Sequence, residues 1–143
     1  MTEFSSSIAS WVAKSEKLIE TVVKESSQRV VNEMQKSRAS GGRMPVDTGF
    51  LRASLVPSIN VTAVTLRENA GGVVSGDPDS QVALKLAGMK LGDTFYAVYG
   101  ANYAAAVNYG SQGRAPAGFV EGATSQWSTI VNSVTIELKA RMG

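Results

Sequence analysis

The chain has 143 residues, of which 43% are apolar and 18% are charged, and this composition predicts one folded domain over residues 1–143. It contains no histidine and no cysteine, which excludes Ser-His-Asp triads, thiolate catalysis, zinc fingers and disulfides. Fourteen Lys and Arg stand against 12 Asp and Glu, and a net charge of +2 is too small for a protein that coats nucleic acid. No apolar run approaches the roughly 18 residues of a membrane span. An enzyme of this composition would have to work with carboxylates, Lys, Tyr or Ser, and we expect a protein that is not bound to a membrane.

Two long amphipathic helices are predicted, one near each end of the chain. From Ser7 to about Arg38 apolar residues recur at three- and four-residue steps without Pro or Gly. A second stripe of this kind runs over Gly118–Arg141. Trp11 and Trp127 lie on these two stripes, so we expect both indole rings to pack in the core.

A small sheet is predicted between the long helices. Alternating apolar residues in Val56–Arg67, with a bulge near Ala63, and β-branched and aromatic residues in Thr94–Gly100 indicate two strands. Short helices are predicted at three places: after Asp47 or Thr48 as the N-cap, over residues 80–91, and over residues 103–109. The predicted fold class is α+β, with a small antiparallel sheet packed against both long helices.

Two glycine-containing segments lie outside these elements. Ala39–Val46 and Glu68–Asp93 are expected to be mobile, the second as an excursion from the sheet. Asp77 and Asp79 fall in the excursion, but the other ligands of a calcium loop are missing at the required offsets. We therefore predict no metal site and no cofactor.

Arginines and tyrosines leave two interpretations open. Four arginines fall in or beside predicted loops, where they could form one basic rim: Arg38, Arg43, Arg52 and Arg114. Four tyrosines fall within 14 residues: Tyr96, Tyr99, Tyr103 and Tyr109. The tyrosines either form an aromatic core or, with the arginines, a stacking platform for single-stranded nucleic acid. A small nucleic-acid-binding module is therefore the alternative function.

Two motifs resemble a known family, the tail-completion or neck proteins of long-tailed bacteriophages. The first motif is P-V-D-T-G-F-L-R-A-S, which contains Pro45, Val46, Asp47, Thr48, Gly49, Leu51, Arg52 and Ser54. The second contains Tyr103, Ala104, Tyr109 and Gly110, followed by an A-P segment at Pro116 that opens the last helix. Asn108 stands where the family often has an acidic residue.

The resemblance spans nearly the whole chain and implies that the protein has a structural role and is not an enzyme. It implies an α+β protomer that assembles into a homo-oligomeric ring, commonly a hexamer, which helps to join the tail to the head. The implied partners are copies of the chain itself and other neck, connector and tail-tube proteins, with DNA passing through the lumen. The implied location is the virion, in the tail or neck, and the host cytoplasm during assembly. We expect Arg38, Arg43 and Arg114 to lie at subunit interfaces.

Overall fold

The computed structural model describes residues 3–46, 49–62, 66–69, 78–111 and 113–142. Within these ranges the elements are, in chain order, α1 (Glu3–Gln35), a 3₁₀-helix (Arg38–Ser40), α2 (Phe50–Ala53), β1 (Leu55–Ile59), α3 (Asp79–Ala87), β2 (Phe95–Tyr99), α4 (Ala104–Tyr109), α5 (Phe119–Thr124) and α6 (Trp127–Met142). The predicted α+β class is confirmed: the described chain has a long helix near each end, and a two-stranded antiparallel sheet and short helices lie between them in sequence. No helix in the described part is both long and apolar enough to cross a membrane.

The sheet pairs β1 with β2 in a register that sets Leu55 opposite Tyr99 and Ile59 opposite Phe95. The first strand is shorter than predicted because Asn60 has a left-handed backbone with φ of 64°. Its side chain holds the turn: Nδ2 donates to Asp93 Oδ1 at 3.1 Å, and Oδ1 accepts from the Thr94 N–H at 2.8 Å. The bulge predicted near Ala63 lies outside the described residues.

The core lies between the sheet, the second half of α1, α3 and α5. Each of these elements contributes fully buried side chains: Val31 and Met34 from α1, Leu55 from β1, Val82 and Leu86 from α3, and Phe119 and Ala123 from α5. The Tyr99 ring meets Phe119 edge-on, with ring centroids 5.2 Å apart, a geometry that aromatic pairs prefer. The apolar periodicity of the sequence therefore identifies the core faces of α3, α5 and the second half of α1.

The predicted C-terminal helix is interrupted at Ser125 and Gln126, which separate α5 from α6. The Gly122 carbonyl accepts from Ser125 Oγ at 3.1 Å and from Gln126 Nε2 at 3.0 Å. The backbone N–H of Gln126 instead donates to the Ala123 carbonyl, a tighter i→i−3 bond. Local side chains thus compete with the regular helical ladder, and the helix breaks.

The two tryptophans are not in the core, so that prediction is wrong. Trp11 is 69% exposed and Trp127 is 41% exposed. Trp127 is the first residue of α6, directly after the break. Trp11 lies in the first half of α1, where the apolar side chains of Ile8, Val12 and Ile19 are exposed as well. Periodicity shows that a helix face is apolar, but it does not show what packs against that face.

Residues 39–46, predicted as a loop, begin within the 3₁₀-helix and pass through Gly41, which has a left-handed backbone. Met44 is fully buried, and it forms a bridge with Ser37. In the excursion over residues 68–93, α3 forms near the predicted position, and residues 70–77, with Asp77, lie outside the described ranges. The mobility of both segments stays a prediction.

Candidate assembly site

The first motif forms a tight turn into α2. Gly49 occupies the N-cap position with φ of 84°, a conformation that side-chain-bearing residues rarely adopt. Phe50 and Leu51 are buried directly after it. Ser54 is also fully buried, and its hydroxyl donates to the Leu51 carbonyl at 2.6 Å. Asp47 and Thr48, the predicted caps, lie outside the described residues.

Arg52 of the motif ties α2 to the end of α1. Its Nε donates to the Gln35 carbonyl at 3.0 Å, and Gln35 Nε2 donates to the Arg52 carbonyl at 2.9 Å. The hydroxyl of Tyr99 donates to Gln35 Oε1 at 2.7 Å, and burial raises the pKa of Tyr99. The motif arginine therefore has a structural role. The sequence analysis missed Gln35, because one buried glutamine in a helix has no distinguishing local pattern.

The second motif closes α4 at a position where only glycine fits. Gly110 follows α4 directly and has φ of 91° and ψ of 159°. A Cβ at this position would come within 3.1 Å of the Arg114 carbonyl oxygen and of the Pro116 nitrogen. The turn from Tyr109 to Pro116 therefore depends on a missing side chain. Tyr109 itself is 69% exposed.

Asn108, the departure from the family pattern, is buried and uses its whole amide. Its Oδ1 accepts from the Val120 N–H at 3.1 Å, and its Nδ2 donates to both carboxylate oxygens of Glu121, at 3.0 and 2.7 Å. The backbone donor fixes the orientation of the amide, so the NH₂ group must face Glu121. An acidic side chain at position 108 would place two carboxylates in contact. An asparagine at position 108 is therefore complementary to Glu121, because it supplies hydrogen-bond donors to the carboxylate.

Segments of both motifs meet in one groove, here called the motif groove. It consists of two adjoining cavities of about 580 and 350 Å³ that share Pro45, Tyr103, Val107 and Arg114. The first motif adds Val46, Gly49, Leu51 and Arg52 to the smaller cavity, and Arg38 lines the larger one. Positions almost 60 residues apart in the chain, such as Pro45 and Tyr103, thus form one surface.

Three of the four predicted loop arginines reach this groove. Arg38 and Arg114 line its larger cavity, and Arg52 lines the smaller one. Arg43 does not join them, because its guanidinium lies against α5, where a Cβ on Gly122 would approach its Nε to 2.7 Å. Within the described part of the chain, neither Arg38 nor Arg114 forms a salt bridge. Two cations therefore border an apolar groove.

The tyrosines do not form one platform. Tyr99 is buried, Tyr96 is half-buried on the sheet, and Tyr103 is 37% exposed with its ring centroid 6.2 Å from that of Phe50. Tyr103 and Tyr109 are thus the more accessible pair, and only Tyr103 lines the groove. The groove therefore has one aromatic side chain, Tyr103, among the described residues that line it, together with three arginines.

The two cavities offer an apolar surface with arginines at its border. The groove walls are mainly apolar side chains and backbone, and no carboxylate is among the described residues that line its two cavities. Over the described ranges no three His, Cys, Asp or Glu residues cluster in a way that could hold a metal ion. Comparisons of the chain with protein-family models, curated proteins and solved structures find no match.

Proposed function

We propose that the protein is a structural subunit of a bacteriophage virion, located at the tail terminus or the head–tail neck. It acts there as one protomer of a homo-oligomeric ring that helps to join tail to head. The observation that carries the proposal is the meeting of the two family-like motifs around one groove. Their best-placed residues, Arg52, Ser54 and Gly110, hold the backbone in position. A shape-defining role for a motif is expected of an assembly subunit more than of an enzyme.

The motif groove is the proposed contact with the neighbouring subunit. Its apolar walls supply surface that gains free energy when it is covered, and Arg38 and Arg114 supply charge at the border. A carboxylate of the neighbour opposite these arginines would orient the contact. Other neck, connector and tail-tube proteins would then dock on the faces of the completed ring.

The test is the size of the purified protein, by light scattering over a range of concentrations and by electron microscopy of large species. We expect closed rings, and we expect Arg114→Ala to reduce their population while the thermal unfolding temperature stays unchanged. Lys139→Ala is the matched control, because Lys139 is an exposed cation on α6, outside the groove. Rings that form equally well in Arg114→Ala would refute the role of the groove.

The nucleic-acid alternative has one observation in its favour, namely that Arg38, Arg114 and Tyr103 line the same cavity. It predicts binding of single-stranded DNA with an affinity that falls steeply as salt concentration rises. Ring contacts made through apolar surface change far less with salt. A chain that stays monomeric and binds DNA in this salt-dependent way would favour the alternative.

A further inference from the structure

The second strand of the sheet has an open edge. β1 and β2 form a sheet of two strands, so each has one side that faces its partner and one that does not. Two hydrogen bonds at the ends of the ladder fix these sides: the Gly100 N–H donates to the Ser54 carbonyl at 2.8 Å, and the Asn60 N–H donates to the Thr94 carbonyl at 2.9 Å. Because backbone groups alternate along a strand, the even-numbered residues of β2 face β1 and the odd-numbered residues face away.

The outward backbone groups of β2 have no partner in the described part of the chain. They are the N–H and C=O groups of Phe95, Ala97 and Tyr99, and none of them makes a backbone hydrogen bond to a described residue outside the sheet. Tyr99 is buried, whereas the four residues before it are half-buried. The accessible part is therefore Phe95–Val98, here called the β2 edge. Such a row of unpaired groups is complementary to another extended chain, which donates and accepts at the same spacing.

The other edge of the sheet is protected. On β1 the residues whose backbone groups face outward are Leu55, Pro57 and Ile59. Pro57 is buried and has no N–H to donate, and α3 packs against this strand. Proline and charged side chains are the common means of protecting an edge strand from other chains. The β2 edge has neither, and three of its four residues are aromatic or β-branched, which favours strand pairing.

We propose that the β2 edge pairs antiparallel with the β2 edge of a second copy of this chain, which makes one four-stranded sheet. The two-fold axis passes between the two copies of Tyr96. Phe95 of each copy then lies opposite the partner's Ala97, and these two pairs exchange four backbone hydrogen bonds. An axis at Ala97 would instead require the backbone of Tyr99, which is buried.

The side chains of the β2 edge are compatible with self-pairing. A two-fold axis sets like residues against each other, so a charged residue near the axis would meet its own charge. Residues 94–99 carry no charge. On the outer face the two Tyr96 rings become direct neighbours at the closer, non-hydrogen-bonded spacing, and aromatic cross-strand pairs stabilise a sheet. On the core face the small Ala97 leaves room for the partner's Phe95.

This pairing does not depend on the proposed ring. A two-fold contact uses the same surface on both copies and is complete with two, so it does not close a ring. Among the described residues that line the motif groove, none belongs to the β2 edge. Each contact can therefore be removed without the other.

Sedimentation equilibrium measures the pairing. In an Arg114→Ala background, which removes the groove contact, we expect a monomer–dimer equilibrium. Tyr96→Lys should raise the dimer dissociation constant at least about 10-fold, because two lysines meet across the axis and an aromatic pair is lost. Val56→Lys is the matched control and should leave the constant unchanged, since Val56 is also half-buried on the outer face but lies on β1, away from the axis. Circular dichroism checks that the variants fold.

A second variant tests the backbone hydrogen bonds themselves. Ala97→Pro removes an N–H that faces the partner strand and leaves the ladder with β1 in place, because the Ala97 N–H does not point toward β1. Pro57, which lies directly opposite Ala97, has the equivalent position on β1. We expect Ala97→Pro to have the circular dichroism spectrum of the wild type and to sediment as a monomer.

Disulfide formation gives a third readout. Because the chain has no cysteine, Tyr96→Cys provides a single thiol at the axis. The two Cα atoms at this position are expected about 4.5 Å apart, within the range that a disulfide spans, so mild oxidation should yield covalent dimer. Val56→Cys is the control, since three strand spacings, at least about 14 Å, separate its two copies. A monomer at every concentration, a dimer that either Tyr96→Lys or Ala97→Pro leaves intact, or equal oxidation of the two thiols would each overturn the proposal.

Discussion

Replacing Asn108 by the acidic residue expected from the family pattern should destabilise this protein. Asn108→Asp removes the two hydrogen bonds from Nδ2 to the Glu121 carboxylate, at 3.0 and 2.7 Å, and sets a second carboxylate in their place. A hydrogen bond to a charged group contributes about 1.5–3 kcal/mol. Two charges about 4 Å apart repel by roughly 1–4 kcal/mol between aqueous and surface dielectric values. Because Glu121 is exposed, the repulsion lies at the low end of that range.

The expected loss of unfolding free energy is at least about 4 kcal/mol at pH 7, which for a chain of this size lowers the unfolding temperature by about 12 °C. Thermal and urea unfolding at pH 7 measure the effect.

The matched control for this prediction is the double variant Asn108→Asp/Glu121→Gln. It restores a donor amide opposite a carboxylate with the roles exchanged, so it should recover most of the lost stability. Two outcomes would refute the role of the Asn108–Glu121 contact. In the first, the free energy of unfolding of Asn108→Asp differs from that of the wild type by less than about 0.5 kcal/mol, roughly the error of such a comparison. In the second, adding Glu121→Gln to Asn108→Asp recovers no stability.

Three further predictions concern the backbone turn, a buried hydroxyl and a buried phenol. Gly110→Ala should lower the free energy of unfolding by at least about 2 kcal/mol, because Gly110 has a positive φ and a Cβ there would lie 3.1 Å from its neighbours. Gly88→Ala is the neutral control, since Gly88 has φ of −85° and its Cβ would have no neighbour nearer than 3.7 Å. Equal unfolding temperatures of the two variants would contradict this prediction. Ser26→Ala should raise the free energy of unfolding by about 1 kcal/mol, since the Ser26 hydroxyl is fully buried and unpaired. The control Ser6→Ala replaces an exposed serine and should change only the helix propensity. A Ser26→Ala variant less stable than the wild type would count against the prediction. Burial raises the pKa of Tyr99 in the folded state, so the unfolded chain loses that proton first and stability falls as the pH rises above about 10. Tyr99→Phe should make the free energy of unfolding fall less steeply at alkaline pH, as measured by urea unfolding from pH 8 to 11. The same slope in Tyr99→Phe and the wild type would contradict this prediction.

Much of the secondary structure could be predicted from the sequence because its causes are local. Apolar residues at helical spacing indicate α1 and α6, and Gly110 ends α4. The alternation in Val56–Arg67 indicates a strand, but β1 covers only the beginning of that range. The buried Phe50 and Leu51 also follow from the motif itself. The break between α5 and α6 has a local cause but was not predicted. The side chains of Ser125 and Gln126 both donate to the Gly122 carbonyl, and apolar periodicity contains no information about such hydrogen bonds.

The candidate site could be predicted only in part. The motifs indicate which segments matter, but the groove exists because the chain brings Pro45 next to Tyr103. Arg38 and Arg43 are equally close to the loop in sequence, and yet only Arg38 lines the groove, because Arg43 packs against Gly122.

By itself the sequence determined the α+β class, the short antiparallel sheet and the apolar faces of the long helices. Only the tertiary structure decided which parts of those faces are covered. Val30 and Trp11 lie on apolar stripes of the same helix, but one is 9% exposed and the other 69%. The physical reason is that a helix face acquires its apolar character from its own residues, while its burial requires a second surface that only the folded chain, or another copy, can bring to it.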